Sequence, residues 1–364
     1  MSRSTLHPSK LALSAAAGLV AASLGATLAA APPAGATSGN SFTVTPLVSD
    51  QPGAALTTDP SLVNGWGMSQ GPTTPVWVSD NGMNVATLYS GASTTSVTKV
   101  PLTVSLPGNG PTGQAFNPDT HAFMIGPKGH KVPSLFLFVT ESGAIDGWSL
   151  NLADKTKAIN VRMVHGAVYK GLAVAMVGGH ARLYAADFAH NRVDVRDSSF
   201  ARIKRPGAFT DRSLPAGYAP FGIAALNGRI YVSYAKQDAA KHDDVAGAGH
   251  GFVDVYTTRG KLVSHLIRRG ALNSPWGLAI APNGFGRFGG DLLVGNFGNG
   301  KIHAYDARTG KADGTLRDSS GHPIVIDGLW ALLFGNGTSA STSTLMFSAG
   351  PDGEAHGLFG VITG

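Results

Sequence analysis

The sequence contains no cysteine and shows no late apolar stretch followed by a basic tail. Without cysteine the chain forms no disulfide even in an oxidising compartment, so its stability must come from packing. The missing lipidation cysteine and late apolar stretch predict that the exported chain carries no membrane anchor. The sequence also lacks a Gly-x-Ser-x-Gly elbow, a P-loop, a His-Glu-x-x-His motif and a dinucleotide fingerprint. No catalytic residue is therefore assigned.

Charged residues are scarce, at 14% of the chain, and the formal net charge is +6. The densest basic group consists of Arg202, Lys204 and Arg205. Nucleic-acid binding needs a clustered basic face with aromatic residues for stacking. We interpret the group as the solvated edge of an outer strand and expect no nucleic-acid partner.

The N-terminus has the layout of a secretory signal. Arg3 and Lys10 precede an uncharged stretch, residues 11–31, and Ala34 and Ala36 supply the small side chains that signal peptidase accepts. We predict cleavage after Ala36, so that residues 1–36 are a signal peptide and the exported domain spans residues 37–364. A retained anchor is the alternative, because the apolar stretch is nearly long enough to span a bilayer.

An internal repeat dominates the rest of the chain. Each of six copies opens with a small apolar motif containing glycine, or alanine in the last copy, and the copies are spaced by 46 to 58 residues; these positions are Gly67, Gly113, Gly171, Gly222, Gly277 and Ala331. This spacing suits four short antiparallel strands per copy. The sequence therefore predicts an all-β fold, a six-bladed β-propeller of four-stranded antiparallel blades.

Within each copy, a second strand of apolar residues ends in a polar or small one, and a third strand rich in β-branched and aromatic residues follows. No helix of ordinary length is expected. The sixth copy ends at the C-terminus without room for a fourth strand. We predict that residues 42–48 supply that strand and close the ring, which removes an exposed sheet edge. A disordered leader is the alternative.

Several segments of the repeat carry a family resemblance. They include Asn-Gly-Trp-Gly at 64–67, Lys-His-Asp-Asp at 241–244, Asn-Ser-Pro-Trp-Gly-Leu-Ala at 273–279 and Ile-Asp-Gly-Leu-Trp at 326–330. From about residue 42 to 362 the chain resembles a family of exported bacterial proteins, some of which carry a C-terminal PEP-CTERM sorting signal. This chain lacks that signal. The resemblance implies a propeller related to NHL and lactonase-type repeats and brings no catalytic assignment.

The start of the first strand and the end of the second strand lie at the same end of an antiparallel blade. Residues at these two positions should therefore gather at one mouth of the central channel, where propellers bind ligands. The first position supplies the candidate ligand-binding residues Asn64, Trp66, Tyr169, Lys170 and Trp276. The tryptophans stack on a ligand ring in this interpretation, and pack between blades in the alternative one.

The loop of the fourth copy, residues 235–251, is unusually long and polar. It adds Lys236, His242, Asp243 and Asp244 to the candidate ligand-binding residues, because long loops on rigid scaffolds are often functional. Neighbouring Glu141, Asp187 and Asn296 are candidate metal ligands, with Ca²⁺ favoured over Zn²⁺ by the oxygen donors. The alternatives are a solvated lid held by Lys–Asp pairs and turn-capping side chains.

Two functions remain open on the sequence. The first is a secreted, monomeric binding protein that captures a small molecule, glycan or peptide at the channel mouth. The second is a lactonase-like hydrolase or lyase assisted by a bound Ca²⁺.

Overall fold

The computed structural model describes residues 39–364, and these residues form six antiparallel sheets arranged as the blades of a propeller. The predicted fold is thus confirmed. The predicted signal peptide lies outside the described residues. Within residues 39–364 the helical content is limited to short 3₁₀ turns at Asn81–Met83 and Gly286–Phe288. No helix in this part of the chain is long and apolar enough to cross a membrane.

The strands follow the repeat in chain order. The N-terminal strands are β1 (Thr43–Ser49) and β2 (Thr57–Thr58). Blade one holds β3 (Gly65–Ser69), β4 (Val76–Asp80), β5 (Val85–Ser90), β6 (Thr98–Lys99) and β7 (Val104–Ser105). Blade two holds β8 (Pro111–Phe116), the small hairpin β9 (Met124–Ile125) and β10 (Val132–Pro133), then β11 (Phe136–Thr140), β12 (Ala144–Trp148) and β13 (Ile159–Met163).

The second half of the ring repeats this order. Blade three holds β14 (Tyr169–Val177), β15 (His180–Asp187) and β16 (Arg192–Arg196). Blade four holds β17 (Tyr218–Leu226), β18 (Arg229–Lys236), β19 (Phe252–Thr257) and β20 (Leu262–Arg268). Blade five holds β21 (Pro275–Ile280), β22 (Leu292–Asn296), β23 (Ile302–Tyr305) and β24 (Ala312–Thr315). Blade six holds β25 (Leu329–Phe334), β26 (Leu345–Ala349) and β27 (Leu358–Thr363).

The two ends of the described chain close the ring. β1 pairs antiparallel with β27, so the N-terminal strand is the outer strand of blade six, as predicted. The register shifts between Pro46 and Val48, where the strand bulges. A bulge accommodates Pro46, because proline cannot donate to the ladder. Leu47 and Val48 are fully buried, so closure also buries apolar surface.

Neighbouring blades are clipped together by side chains that bond to the first strand of another blade. Thr112 donates its hydroxyl to the carbonyl of Tyr169 over 2.7 Å, and Ser233 donates to the carbonyl of Pro275 over 2.6 Å. The hydroxyl of Ser348 donates in the same way to the carbonyl of Trp66. These bonds satisfy backbone groups at the crowded axis, where the six inner strands meet without pairing.

The glycines of the repeat allow the inner strands to approach each other. A Cβ atom added to Gly222 would lie 2.2 Å from the carbonyl oxygen of Trp276 in the next blade. One added to Gly113 would lie 2.2 Å from the backbone nitrogen of Leu172. Only glycine fits at these two positions, which explains why glycine recurs in this motif, although the sixth blade carries Ala331 there.

Candidate functional site at the channel mouth

Lys170 joins three blades at one end of the channel. It lies at the start of β14, and its Nζ is 2.5 Å from Oε1 of Glu141, which follows β11, and 3.0 Å from Oδ1 of Asp243 in the loop of blade four. The starts of first strands and the ends of second strands therefore meet, as the antiparallel geometry predicted. Ligand binding by these residues stays a prediction.

The ion pairs keep Lys170 charged. Its side chain is only 2% exposed, and such burial by itself lowers the pKa of an ammonium group. The charges of Glu141 and Asp243 outweigh burial, so the pKa of Lys170 is raised above its ordinary value. Nζ also lies 5.1 Å from the centre of the Trp66 ring, a cation–π contact. Lys170 is thus a fixed positive charge between two carboxylates.

A chain of hydrogen bonds extends from Glu141 into blades one and six. Asn81 donates its amide to Oε2 of Glu141 over 3.0 Å, and Asn64 donates to Oδ1 of Asn81 over 3.3 Å. The same amide of Asn64 donates to Oε2 of Glu354 over 2.6 Å. We call Asn64, Asn81, Glu141, Lys170, His242, Asp243 and Glu354 the mouth cluster.

The long loop of blade four contributes the exposed side of the mouth cluster. Nδ1 of His242 lies 2.9 Å from Oδ1 of Asp243, the oxygen that also accepts from Lys170. Burial raises the pKa of Asp243. Lys170 and His242 lower it by a larger amount, so the pKa of Asp243 lies below its ordinary value. Asp243 is 64% exposed, so this carboxylate is open to a ligand.

Bonds to the rest of the ring hold the loop in place. The side-chain amide of Gln237 donates to the carbonyl of Phe188 in blade three over 2.6 Å, and Gly247 donates its N–H to Oδ1 of Asn273 over 2.7 Å. The Lys–Asp pair of this loop joins Asp243 to Lys170 of another blade. Among the described residues, Lys236 and Lys241 form no ion pair with a carboxylate. The loop is thus tied to its neighbours.

An aromatic stack lies beneath the mouth cluster. The ring of Trp330 stacks between Trp66, at 3.6 Å between centroids, and Phe297, at 3.9 Å. Asn64 accepts the indole N–H of Trp330 over 3.0 Å, and Lys170 accepts that of Trp276 over 2.8 Å through its carbonyl. All three tryptophans are buried, which favours the packing interpretation over ligand stacking.

The free volume of the channel lies toward its opposite end. A cavity of about 350 Å³ is lined by residues from all six inner strands, among them Phe116 and Leu226 at the far ends of β8 and β17, and by Gln70 just after β3. Trp276 lines it from the side of the aromatic stack. The stack therefore separates the polar mouth cluster from this largely apolar cavity.

The predicted Ca²⁺ ligands Glu141, Asp187 and Asn296 each have separate partners, and no hydrogen bond within residues 39–364 links one of them to another. Asp187 is fully buried and lies 2.9 Å from Nδ1 of His190 and 2.8 Å from a guanidinium nitrogen of Arg192. It also accepts the backbone N–H of His190, as the capping alternative predicted. Asn296 donates its amide to the carbonyl of Ala271 over 2.8 Å. The metal set of Glu141, Asp187 and Asn296 stays a prediction.

Two other candidate ligand-binding residues, Tyr169 and Asp244, lie outside the mouth cluster. Tyr169 is fully buried and donates its hydroxyl to Asp194 over 2.8 Å, so its side chain belongs to the core. Asp244 is half-buried, and burial raises its pKa. Its Oδ2 has no hydrogen-bond partner among the described residues.

Glu354 belongs to the mouth cluster but was not among the residues predicted from the sequence. Its only signal in the sequence is its place between the second and third strands of the last repeat.

The mouth cluster can hold a cation or accept hydrogen bonds. Single ligand atoms of Glu141, His242 and Asp243 lie within 4.8 Å of one another, close enough to share an ion. Burial raises the pKa of Glu354, and the nearby charge of Glu141 raises it further against the bond from Asn64. With three carboxyl groups against one lysine, the mouth is rich in acceptors.

The fold and this end of the ring define the class, a six-bladed β-propeller with a polar channel mouth. Residues 39–364 share the fold of a streptogramin B lyase structure, with a TM-score of 0.51 and 10% identity, over 88% of this chain and 97% of that one. They share it equally with a glucose dehydrogenase structure, with a TM-score of 0.51 and 11% identity, over 88% of this chain and 99% of that one. At such identities the likeness concerns the fold alone.

The sequence places the chain in a family. It is 30% identical over 326 residues to "Uncharacterized protein R648" of Acanthamoeba polyphaga mimivirus, covering 87% of this chain and 78% of the viral one. It is 30% identical over 323 residues to "Uncharacterized protein L690" of the same virus, covering 86% and 83%. The chain belongs to the family of these proteins. No protein-family profile matches it. Bacterial origin and a sorting signal among its relatives stay predictions.

Proposed function

We propose that this chain is an exported binding protein that captures a small ligand at the mouth cluster. The observation that carries the proposal is the pairing of buried Lys170 with Glu141 and Asp243. Burying an ammonium group costs free energy, and hydrophobic residues of similar volume often stabilise a fold as well or better. A site that fixes carboxylates of two blades around one lysine of a third is better suited to recognition than to stability.

The ligand we propose is rich in hydrogen-bond donors, as is a sugar, an amine or the basic end of a peptide. Glu141, Asp243 and Glu354 offer carboxyl oxygens as acceptors. Lys170 already donates hydrogen bonds to two of these groups, Glu141 and Asp243. An anionic ligand would meet an excess of negative charge at this mouth. The acceptors therefore select for hydroxyl and ammonium groups.

Binding can be tested with a panel of monosaccharides, amino sugars and short basic peptides in a thermal-shift assay. At least one class should raise the melting temperature in a concentration-dependent way, because a ligand that binds only the folded state stabilises it. Asp243→Asn should weaken that binding by about tenfold. Asp154→Asn is the matched control, since Asp154 is an exposed carboxylate bonded only within its own turn. Equal binding by both variants, or no response to any class, would overturn the proposal.

Export rests on the N-terminal sequence. Expression of the full chain in a secreting host should release a protein that begins at Thr37, as read by N-terminal sequencing. Replacing the small side chain at the cleavage site, in Ala36→Lys, should stop processing. A released protein that still begins near Met1, or a full-length chain retained in the membrane, would contradict export by cleavage.

A second candidate function is a metal-assisted hydrolase or lyase, favoured by the clustered ligand atoms of Glu141, His242 and Asp243. One imidazole and two carboxylates suit Zn²⁺ or Mn²⁺ better than Ca²⁺, which prefers oxygen ligands alone. When bound, such an ion would polarise a carbonyl of the substrate. Lys170 weighs against this candidate, because its ammonium group already donates to one oxygen of each of the two carboxylates and would repel a metal cation. The streptogramin B lyase likeness supports the scaffold for such chemistry, through the fold alone.

Metal analysis of the purified protein separates the two candidates. The binding proposal predicts no stoichiometric metal and a melting curve unchanged by chelator. The enzyme candidate predicts one ion per chain that is lost in His242→Gln. His121→Gln is the matched control, because His121 is an exposed histidine whose neighbouring carboxylate is Asp119.

A further inference from the structure

A second cleft lies on the outer rim of the propeller, between blades three and four. It has a volume of about 290 Å³. Its walls carry six basic residues, which are Arg182, Arg192, Arg202, Lys204, Arg205 and Arg259. Its floor is apolar and is formed by Val193, Val195, Ile203, Ala208 and Phe209. We call this set of residues the outer cleft.

Blade three lacks a regular fourth strand, and this opens the outer cleft. Its sheet contains only β14, β15 and β16. The chain beyond β16 touches that strand at a single bridge, between Arg196 and Arg202, and at the bond from the N–H of Ile203 to the carbonyl of Val195. No strand among the described residues pairs with Val193 from the outside, so the valines of β16 are left to floor a cleft.

Half of the basic residues are neutralised wholly or in part. Arg192 pairs with Asp187 over 2.8 Å, and Arg202 pairs with Asp194 over 3.1 Å. Burial raises the pKa of Asp197, but bonds from Ser199 and Ala201 and the charge of Arg182 bring it below its ordinary value. Arg182 is therefore partly compensated by Asp197.

The other three cations have no carboxylate partner in the described part of the chain. Within residues 39–364, no ion pair within 4.0 Å involves Lys204, Arg205 or Arg259. Arg205 donates to the backbone carbonyl of Arg259 over 3.4 Å, so these two residues lie side by side despite their like charges. Burial raises the pKa of Tyr184 to about 12 even though the nearby charges of Arg182 and Arg205 lower it, so both guanidinium groups lie near this residue. Lys204, Arg205 and Arg259 all line the outer cleft, so the three unpaired charges share one site.

Converging unpaired cations over an apolar floor call for an anion with an apolar body. Arginine guanidinium groups bind phosphate, sulfate and carboxylate through paired N–H donors. The volume of the cleft suits one small molecule. We propose that the outer cleft binds a small organic anion, in which a phosphate, sulfate or carboxylate group is attached to an apolar ring or chain. This site is separate from the mouth cluster, whose acceptors would repel the same ligand.

The test is calorimetric titration of the purified protein with 1-naphthyl phosphate. We expect saturable binding of one molecule per chain, which weakens as salt rises because it depends on charge. The double variant Lys204→Gln/Arg205→Gln should weaken binding by about tenfold or more. Both side chains are exposed, so this variant should keep the far-ultraviolet circular dichroism and melting temperature of the parent.

Arg308→Gln is the matched control, because Arg308 is an exposed arginine in a turn of blade five, and it should bind as the parent does. Inorganic phosphate should compete with 1-naphthyl phosphate, and uncharged 1-naphthol should bind much more weakly. Absence of saturable binding, unchanged affinity in the double variant, or equal affinity for 1-naphthol would overturn the proposal.

Discussion

Nζ of Lys170 and Oδ1 of Asp243 lie 3.0 Å apart although 73 positions separate the two residues in the chain. The contact spans blades three and four at the channel mouth. A second bond ties Lys170 to Glu141 of blade two, so one side chain fixes the relative positions of three blades. These two bonds hold acceptors of different blades in fixed relative positions, and such preorganisation favours selective binding.

The two carboxylates that bind Lys170 should contribute unequally to the free energy of unfolding. Glu141→Gln should lower the free energy of unfolding by about 3 kcal/mol, because it leaves the buried ammonium of Lys170 with one half-exposed partner. Asp243→Asn should cost less than about 1 kcal/mol, since Asp243 is 64% exposed and solvent screens its charge. Urea denaturation of both variants checks this order. Lys170→Met combined with Glu141→Gln should recover part of the loss, and equal costs for the two single variants would contradict the assignment.

Ring closure by β1 predicts a strong contrast between two leucines near the N-terminus. Leu47 is fully buried where β1 meets β27, whereas Leu56 is 55% exposed. Leu47→Ala should cost about 2–5 kcal/mol through lost burial and a residual cavity. Leu56→Ala should cost less than about 0.5 kcal/mol. The denaturation midpoints of the two variants measure the difference, and a negligible effect of Leu47→Ala would show that the ring closes without this strand.

The inner-strand glycines should tolerate no side chain. Gly222→Ala would place a Cβ atom 2.2 Å from a backbone oxygen of the next blade, so we expect a loss of more than about 3 kcal/mol or failure to fold. Gly53 offers a control, because it has a φ of +81° but open space around its Cα. Gly53→Ala should cost only about 1 kcal/mol of backbone strain. Soluble yield and melting temperature report both, and a stable Gly222→Ala would refute close approach of the blades.

The buried side chain of His303 should make the protein less stable as pH falls. Burial, helped by the charge of Lys301, lowers its pKa from 6.5 to about 4. The unfolded chain therefore binds this proton at higher pH than the folded protein does. The stability contributed by neutral His303 is present above about pH 6.5 and is lost as pH falls toward 4, by about 3 kcal/mol in all.

His303→Gln removes that proton and should flatten the curve in this window. The difference in unfolding free energy between parent and variant, measured in urea at pH 7, 5.5 and 4.5, should shrink steadily toward acid. A difference that is constant with pH would show that His303 titrates alike in both states. The comparison is needed because Asp254, whose pKa burial raises to about 6, shifts stability in the opposite direction.

The sequence was sufficient for the fold because the constraint on it repeats. Each inner strand must begin with a residue that lets its neighbour approach, and Gly67, Gly113 and Gly222 meet that demand at regular intervals. The missing outer strand of the last repeat pointed to residues 42–48 by the same reasoning. In blade three the sequence indicated only part of the arrangement, because Arg202, Lys204 and Arg205 are exposed beside the edge of β16 and also line the outer cleft, which no pattern predicted.

The site was predictable only in part. Antiparallel geometry placed Lys170, Glu141 and Asp243 at one end of the channel, but the pairing of one lysine with both carboxylates depends on rotamers that no pattern encodes. Whether the aromatic candidates face the ligand or the core depends on burial, which the sequence did not settle. Tyr169 is packed inward against Asp194, and Trp330 lies within the aromatic stack. Glu354 sits in a turn at a φ of +71° after the second strand of the last repeat, and its bond to Asn64 depends on a turn conformation that the repeat does not encode.

A crystal structure of the purified protein, soaked with the sugars, amino sugars and basic peptides of the binding panel, would locate the ligand itself. We expect ligand density within hydrogen-bond distance of Glu141, Asp243 or Glu354, above the aromatic stack. Density confined to the apolar cavity at the other end of the channel, or a mouth that holds only solvent, would contradict it.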